Sequence, residues 1–191
     1  MKKWIIALAA AILLIFIIDQ TLLHDNFTKE KSLKIKKYEK IKNAEQLPEG
    51  IDVGKRTLNF TLPDRNGKKI QLSDFKGQRV LLNFWGSWCP PCQKEMPYMQ
   101  KIYEKYKDKN FVIIAVNSTV TEKRKEDPIR FVENHGLTFP VLLDEKNQVT
   151  SMYEVLSYPT SFFVDSDGVI RSRVIGEMNE DFIEKEIKRL P

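Results

Sequence analysis

The stretch that decides the fold is Phe84–Pro97, which reads FWGSWCPPCQKEMP and contains both cysteines of the 191-residue chain. Cys89 and Cys92 have the spacing of residues on one helical face, so a helix that starts near Cys89 brings the two sulfurs within disulfide range. The apolar run before them, Val80–Phe84, is typical of a buried strand. A strand followed by Cys-x-x-Cys and a helix indicates a redox-active thiol pair.

The chemistry of such a pair requires a thiolate, and an ordinary cysteine with a pKa near ~8.5 supplies little of it at neutral pH. At a helix start, unpaired N–H groups and the positive end of the helix dipole stabilise an anion and lower the pKa of the first cysteine. We therefore assign Cys89 as the attacking thiolate and Cys92 as the resolving thiol. Pro90 and Pro91 suit this position, because the first helical turn has no intrahelical use for their missing N–H groups.

Two structural interpretations of the cysteine pair are disfavoured. A purely structural disulfide that closes so short a loop constrains the unfolded chain little. A structural zinc site normally needs four ligands, and besides the two cysteines the chain offers only His24 and His135, far away in sequence. We therefore expect neither a metal nor another cofactor.

The composition is compatible with one ordinary domain and a tail, because the chain has 191 residues and a hydrophobic content of 42%. The net charge of +5 comes largely from lysines between Lys29 and Lys42, whereas the later part has mixed signs. That distribution is not the one expected of a nucleic-acid groove, and no base-stacking motif is present, so we expect no nucleic-acid partner. A basic stretch close to a membrane segment indicates a solvated stalk near lipid.

The N-terminus has a basic start, Met1–Lys3, and an apolar run, Trp4–Ile18, which is the pattern of a secretory signal or a signal anchor. No convincing Ala-x-Ala cleavage site ends the run, and no cysteine that could carry a lipid follows it. The run is short against the ~20 residues usual for a span, but Gln20–Leu23 can extend it. We favour an uncleaved single-pass anchor in the cell membrane, with the rest of the chain on the extracytoplasmic side because the first lysines stay inside.

The predicted organisation is an anchor over residues 1–23, a polar lysine-rich tether over 24–56 and one domain over 57–191. The domain is expected to open with a β-hairpin, because Leu58–Leu62 and Lys69–Leu72 alternate like strands around the turn sequence DRNG. Further along, strands alternate with helices and end in a second hairpin and an amphipathic helix. This order predicts an α/β fold with a mixed sheet flanked by helices and an N-terminal β-hairpin extension.

Several motifs together resemble the membrane-anchored thiol-disulfide oxidoreductases of the TlpA/ResA-like branch of the thioredoxin superfamily. These motifs are Leu72–Gly77, Phe84–Trp88, Trp88–Cys92, Glu95–Met99 and Tyr158–Thr160. The resemblance covers roughly residues 58–190. It implies that the domain is thioredoxin-like and that the protein is a protein-disulfide reductase.

The resemblance also implies a catalytic carboxylate. Thioredoxin usually carries a buried Asp in its central strand, where this chain has Asn83, whereas ResA-like proteins carry a functional Glu that matches Glu95. A carboxylate one turn beyond Cys92 can accept its proton when Cys92 attacks a mixed disulfide, and burial would raise the pKa of that carboxylate towards the working pH. The alternative is a solvated first-turn acid favoured by the helix dipole.

The remaining site candidates are expected to form the substrate-binding surface. In the superfamily the proline that matches Pro159 is cis and packs against the redox pair, so we expect Tyr158 and Pro159 to form the substrate-side wall. The alternative is a trans proline in a loop, the commoner state of X-Pro bonds. Trp88 is assigned a role in shaping the surface, beside Pro90 and Pro91. Pro90 departs from the family, which often has an acidic residue there, so the family's redox potential and substrate preference cannot be transferred.

The leading functional hypothesis is a dithiol reductase outside the cytoplasmic membrane. The resemblance suggests apocytochrome c or another exported protein with a disulfide as the substrate, and a membrane thiol carrier of the CcdA/DsbD type as the electron donor. A thiol oxidase or isomerase would use the same residues at a different redox potential. Two other classes are disfavoured: a thiol peroxidase needs a Thr placed ahead of Cys89 to activate peroxide, and a Sco-type copper-delivery module uses a longer cysteine spacing and a distant His.

The N-terminal segment should remain attached to the mature protein, because no cleavage site follows it. The measurement is the intact mass of the protein extracted from membranes, which should include residues Trp4–Ile18. A soluble form that begins after Ile18 would show instead that the apolar run is a cleaved signal.

Overall fold

Two β-sheets and four α-helices make up the part of the chain that this computed structural model describes, residues 36–191. The strands are β1 (Thr61–Pro63), β2 (Lys69–Gln71), β3 (Arg79–Trp85), β4 (Phe111–Asn117), β5 (Val141–Leu143), β6 (Thr160–Val164) and β7 (Ile170–Ile175). The helices are α1 (Pro90–Tyr106), α2 (Asp127–Asn134), α3 (Gln148–Met152) and α4 (Glu180–Arg189). The predicted anchor and the first part of the predicted tether lie outside the described residues. None of the helices within residues 36–191 combines the length and apolar character needed to cross a membrane.

The main sheet has five strands in the order β5-β4-β3-β6-β7. Strand β3 pairs parallel with β4 and antiparallel with β6, so the sheet is mixed, as the sequence predicts. All residues of β4 are buried, which explains why its sequence is a nearly continuous apolar run without alternation. Strands β1 and β2 form a separate antiparallel pair, which confirms the predicted N-terminal hairpin.

Strand β3 divides the core into two layers, because successive side chains of a strand point to opposite faces of the sheet. Leu82 and Phe84 pack on one side with residues of β6 and the segment around α3. Leu81 and Trp85 pack on the other side with the buried residues of α1 and α4. Asn83 shares this second face with Leu81 and Trp85, so the strand directs a polar side chain towards α1.

The segment before the hairpin packs on the domain, which corrects the predicted tether. The Tyr38 hydroxyl donates to Glu186 Oε2 at 2.9 Å, and the Gly54 amide donates to the Ile170 carbonyl at 2.8 Å. The compact unit therefore starts at Lys37, whereas the sequence pattern placed the domain start at residue 57. The prediction missed this boundary because contacts of single side chains and backbone groups with β7 and α4 leave no periodic apolar pattern.

Candidate active site

The two cysteines lie at the junction between the end of β3 and the start of α1. Cys89 is the N-cap residue of α1, and Pro90 and Pro91 take the first two helical positions, as the sequence predicts. Cys89 and Cys92 form a disulfide with their Cα atoms 5.3 Å apart, so the structure shows the oxidised form. The Cys92 amide donates to Cys89 Sγ at 3.3 Å, which means that an N–H group of the helix start already points at the sulfur that would carry the thiolate.

The two cysteine residues differ slightly in exposure. Cys92 is fully buried, whereas Cys89 keeps 3% of its surface exposed. Both residues are therefore buried, and Cys89 is the one of the two that reaches the surface. This arrangement supports the assignment of Cys89 as attacking residue and Cys92 as resolving residue, although both are less accessible than a surface cysteine.

The loop that leads into Cys89 is held by a carboxylate from the neighbouring strand end. Glu122 accepts hydrogen bonds from the Ser87 amide at 2.7 Å and the Ser87 hydroxyl at 2.5 Å. Asn117, the last residue of β4, donates its side-chain amide to the same carboxylate at 2.7 Å. The sequence analysis missed Glu122, because its contact with a residue 35 positions earlier depends on the parallel pairing of β3 and β4.

Gly86 is required in the same loop. A Cβ atom at this position would lie 2.8 Å from Nε1 of Trp88, closer than side chains approach one another. The absence of a side chain lets the Trp88 ring fold back beside the loop, where its Nε1 donates to Thr121 Oγ1 at 3.0 Å.

The structure shows the backbone geometry expected of the predicted substrate-side wall. The Tyr158–Pro159 peptide bond is cis, as expected. The Tyr158 and Trp88 rings meet edge to face, with centroids 5.9 Å apart, so the segment before β6 touches the segment before Cys89. Trp88 remains 45% exposed despite these contacts. The structure therefore brings Trp88 and Tyr158 together next to the cysteines, and their role in binding substrate stays a prediction.

Glu95 is fully buried one turn beyond Cys92, so the alternative of a solvated first-turn acid is wrong. Its Oε1 accepts from Asn83 Nδ2 at 2.7 Å, and its Oε2 accepts from the Met178 amide at 3.1 Å. Burial raises the pKa of Glu95 to about 7, against the opposing effect of these two hydrogen bonds, which stabilise the charged form. The expected shift towards the working pH is confirmed, and the carboxyl can both take up and release a proton near neutrality.

The sequence assigns no role to two of the groups that surround Glu95. It marks Asn83 only as the residue in the place of thioredoxin's Asp, and it gives no indication of Met178. No sequence pattern marks Met178, because it contributes a backbone amide from the segment between β7 and α4, 83 positions away from Glu95. The sequence does mark Asn83, because it is a polar residue that interrupts the apolar run of β3.

A cavity of about 240 Å³ adjoins Glu95. It lies between the first turns of α1 and the segment that leads into α4. Its lining residues are Lys94, Glu95, Tyr98, Glu177, Met178 and Asn179. Lys94 and Glu177 form an ion pair at its rim. The cavity offers space for water near a carboxyl group that is otherwise enclosed.

A mixed sheet, a Cys-x-x-Cys disulfide at a helix start and a cis-proline directly before β6 define a thiol-disulfide oxidoreductase with a thioredoxin-like fold. The AhpC/TSA family model matches residues 53–173, and the chain belongs to this family. It is 42% identical over 142 residues to the thiol-disulfide oxidoreductase ResA of Bacillus thuringiensis, an alignment that covers 74% of this chain and 80% of the relative.

Two further comparisons agree with this assignment. The thioredoxin-like protein YneN of Bacillus subtilis is 35% identical over 189 residues, which is 98% of each chain. The crystal structure of StoA from Bacillus subtilis is similar with a TM-score of 0.61 and 32% identity, over 68% of this chain and 96% of that chain. The resemblance to ResA-like oxidoreductases is thereby confirmed.

In the reduced protein, Cys89 should react with alkylating agents before Cys92 does, because it is the helix N-cap and the more accessible of the two. The measurement is mass-spectrometric mapping after treatment with limiting iodoacetamide. The Cys92→Ser variant is the control, and its labelling at Cys89 should persist. Preferential modification of Cys92 in the unmodified sequence would reverse the assigned roles.

Proposed function

We propose that this oxidoreductase works as a reductase of disulfides in exported proteins, apocytochrome c among them. The observation that carries the proposal is the buried carboxyl group of Glu95, placed one helical turn from the resolving cysteine with its pKa raised to about 7. A group with that proton affinity can act as a base at the working pH. The resemblance to the ResA-like branch suggests disulfides of exported proteins as the class of substrate, and the departure at Pro90 leaves the particular substrate to be decided by experiment.

The first step is attack on the substrate. The Cys89 thiolate attacks one sulfur of the substrate disulfide, a new bond forms between Cys89 Sγ and that sulfur, and the second substrate sulfur leaves as a thiolate. The first turn of α1 stabilises the attacking thiolate through its N–H groups and dipole. The product of this step is a mixed disulfide.

The second step releases the substrate. Glu95 takes the proton from the Cys92 thiol, and the resulting thiolate attacks Cys89 Sγ, which breaks the mixed disulfide and releases the bound substrate sulfur as a thiolate. The Cys89–Cys92 disulfide forms, and two electrons have passed to the substrate. The cysteine and the carboxyl share one face of α1 because they are three residues apart, and both are fully buried. Water in the cavity near Lys94 can then accept the proton from Glu95.

The surface around the disulfide fits a polypeptide substrate. Large hydrophobic side chains are exposed on the segments that border the cysteines: Trp88, Val120, Leu156 and Ile175. Val120 precedes Thr121, which bonds the Trp88 ring, and Ile175 pairs with Thr160 directly after the cis-proline. Exposed apolar side chains on both sides of the cysteine segment could contact another protein if they form one surface. An unfolded or extended segment next to the target disulfide would cover them.

The oxidised pair must be reduced again after each turnover, and we propose a membrane thiol carrier of the CcdA/DsbD type as the donor. The proposed N-terminal anchor would hold the domain at the extracytoplasmic face of the cell membrane, within reach of such a carrier. The thiol chemistry supports this arrangement, because exported proteins acquire disulfides outside the cytoplasm and their reduction there requires electrons from within.

The reduction potential of the Cys89–Cys92 pair tests the direction of electron flow. A reductase should have a potential close to the value of about −270 mV typical of thioredoxin, whereas a value near about −120 mV, typical of a strong oxidant, would contradict the proposal.

The substrate is tested with an oxidised apocytochrome c, whose haem-attachment cysteines the reduced protein should convert to thiols. The Cys92→Ser variant should stop at the mixed disulfide with the same substrate.

The Glu95→Gln variant should lose disulfide-reductase rate by about a hundredfold, because general-base assistance typically contributes 10² to 10⁴. The wild-type rate should rise with pH through about 7, where Glu95 ionises, and the variant should lack this rise. Glu104→Gln is the matched control, since Glu104 is an exposed residue of the same helix. A variant with the wild-type rate and pH profile would exclude Glu95 as the base.

Stability gives an independent measurement on the same variant. Because the pKa of Glu95 is raised on folding, from 4.5 to about 7, the folded state binds more protons than the unfolded state between these values. The contribution of Glu95 to stability is therefore greatest below the unfolded pKa and is lost as the pH rises to about 7. Denaturation midpoints of Glu95→Gln should lack this decline.

A further inference from the structure

Asn83 lies fully buried on β3 between two hydrogen-bonding partners. Its Nδ2 donates to Glu95 Oε1 at 2.7 Å and to Ser161 Oγ at 2.9 Å. Ser161 is its direct partner in the antiparallel pairing of β3 and β6. Its Oδ1 is also buried and has no hydrogen-bond partner. Such an unsatisfied acceptor is costly in the interior and calls for an explanation.

We propose that Asn83 is a positioning residue whose side-chain amide turns over when Glu95 gains or loses a proton. In the ionised state Nδ2 donates to the carboxylate, and in the protonated state Oδ1 accepts the carboxyl hydrogen. The proposal rests on the relay role of Glu95 and adds the element that lets a buried site hold either protonation state.

The position of the proton follows from the partners of the two carboxyl oxygens. Oε2 faces the Met178 backbone amide, which can only donate, so a proton on that oxygen would meet a second donor. Oε1 faces the side chain of Asn83, which carries a donor and an acceptor on the same planar group. In the protonated state, the proton of Glu95 is therefore on Oε1. Asn83 must then turn its oxygen, Oδ1, towards Oε1 to accept it.

A rotation of the Asn83 amide by about half a turn supplies that oxygen, because the terminal torsion of an Asn side chain is roughly two-fold. It exchanges Nδ2 and Oδ1 without moving the backbone. Ser161 tolerates either orientation, since its hydroxyl accepts from Nδ2 in one state and donates to Oδ1 in the other. One end of the amide lacks a partner in both orientations, so the proton on Glu95 decides between them.

The charged and titratable groups that face Glu95 come from two elements. Helix α1 contributes Lys94 and Tyr98 beside the cavity and, in the reduced protein, Cys92. The segment before α4 contributes Glu177, which pairs with Lys94 and whose charge raises the pKa of Glu95. The two neighbouring groups on β3 and β6 are uncharged. In the oxidised protein the cysteines do not titrate, so the response of Glu95 can be followed alone.

The test uses NMR spectroscopy of the oxidised full-length chain in detergent. The side-chain NH₂ signals of Asn83 should shift between two limiting positions, with the same midpoint, near pH 7, as the ¹³C signal of the Glu95 carboxyl group. In Glu95→Gln, whose amide can only donate towards Asn83 while its oxygen accepts from Met178, the signals should stay at the low-pH limit at every pH. Asn83 signals that stay constant while Glu95 titrates would overturn the proposal.

The Asn83→Leu variant tests how much the Asn83 amide contributes to the pKa of Glu95. Asn83→Leu removes the bond to the carboxylate and the bond to the acid, and the bond to the charged form is the stronger of the two. The pKa of Glu95 should therefore rise by about one unit, a tenfold change in its proton-binding constant. Asn117→Leu is the matched control, because it removes a buried amide that donates to Glu122 on the neighbouring strand. The control should lower stability and leave the Glu95 titration unchanged. A rise of about two units or more in Asn83→Leu is the change expected of an amide that only donates to the carboxylate, and it would contradict the proposal.

The outcomes separate this inference from the proposed function. A normal reductase rate in Glu95→Gln excludes the relay even where the Asn83 signals follow the proton. Constant Asn83 signals in the unmodified protein exclude the amide rotation even where the relay holds. The measurement on the unmodified protein needs no substitution, so it remains decisive if Asn83→Leu does not fold.

Discussion

The burial of one ionisable carboxyl group behind the disulfide is the constraint on which the site depends. Glu95 has no exposed surface, and the loss of hydration disfavours its charge, so its pKa lies near neutrality. That burial requires α1 to pack closely on β3 and requires donors to both carboxyl oxygens. Without the donors from Asn83 and Met178, the ionised form would be an uncompensated buried charge. The pKa of Glu95 is therefore set by two opposing effects: desolvation raises it, and the two hydrogen bonds lower it.

The parallel pairing of β3 and β4 builds the other half of the site. It sets the carboxyl ends of the two strands side by side, so that the segment after β4 can hold the segment after β3. Glu122 and Thr121 act in this way, by bonding Ser87 and Trp88 respectively. The exposed ring of Trp88 and the loop before Cys89 are thus fixed in place by contacts with the segment that follows β4. Glu122 fixes the loop before Cys89 by hydrogen bonds, and Asn83 fixes the carboxyl group of Glu95 in the same way.

The replacement of an expected Asp by Asn83 has a physical reason here. An Asp side chain in the same position would set a second carboxylate about 3 Å from Glu95, and two such groups cannot both ionise at low cost. An amide is neutral at every pH and presents a donor and an acceptor, so it can meet one carboxyl group in either of its states. The two residues therefore form a matched pair, one on the strand and one on the helix.

The sequence by itself determined the α/β class, the order of strands and helices, the two cysteines at a helix start, Glu95 beyond them and the proline that precedes β6. These features are local: periodicity, turn residues and i to i+3 spacing depend on neighbours in the chain. Only the tertiary structure decided that Glu95 is buried, that Asn83 and Met178 are its donors, that Glu122 holds Ser87, and that the compact unit begins at Lys37. Each of these depends on groups that are distant in sequence and meet only when strands pair and helices pack. Burial and hydrogen-bond partners are therefore properties of the assembled sheet and helices, and no local pattern encodes them.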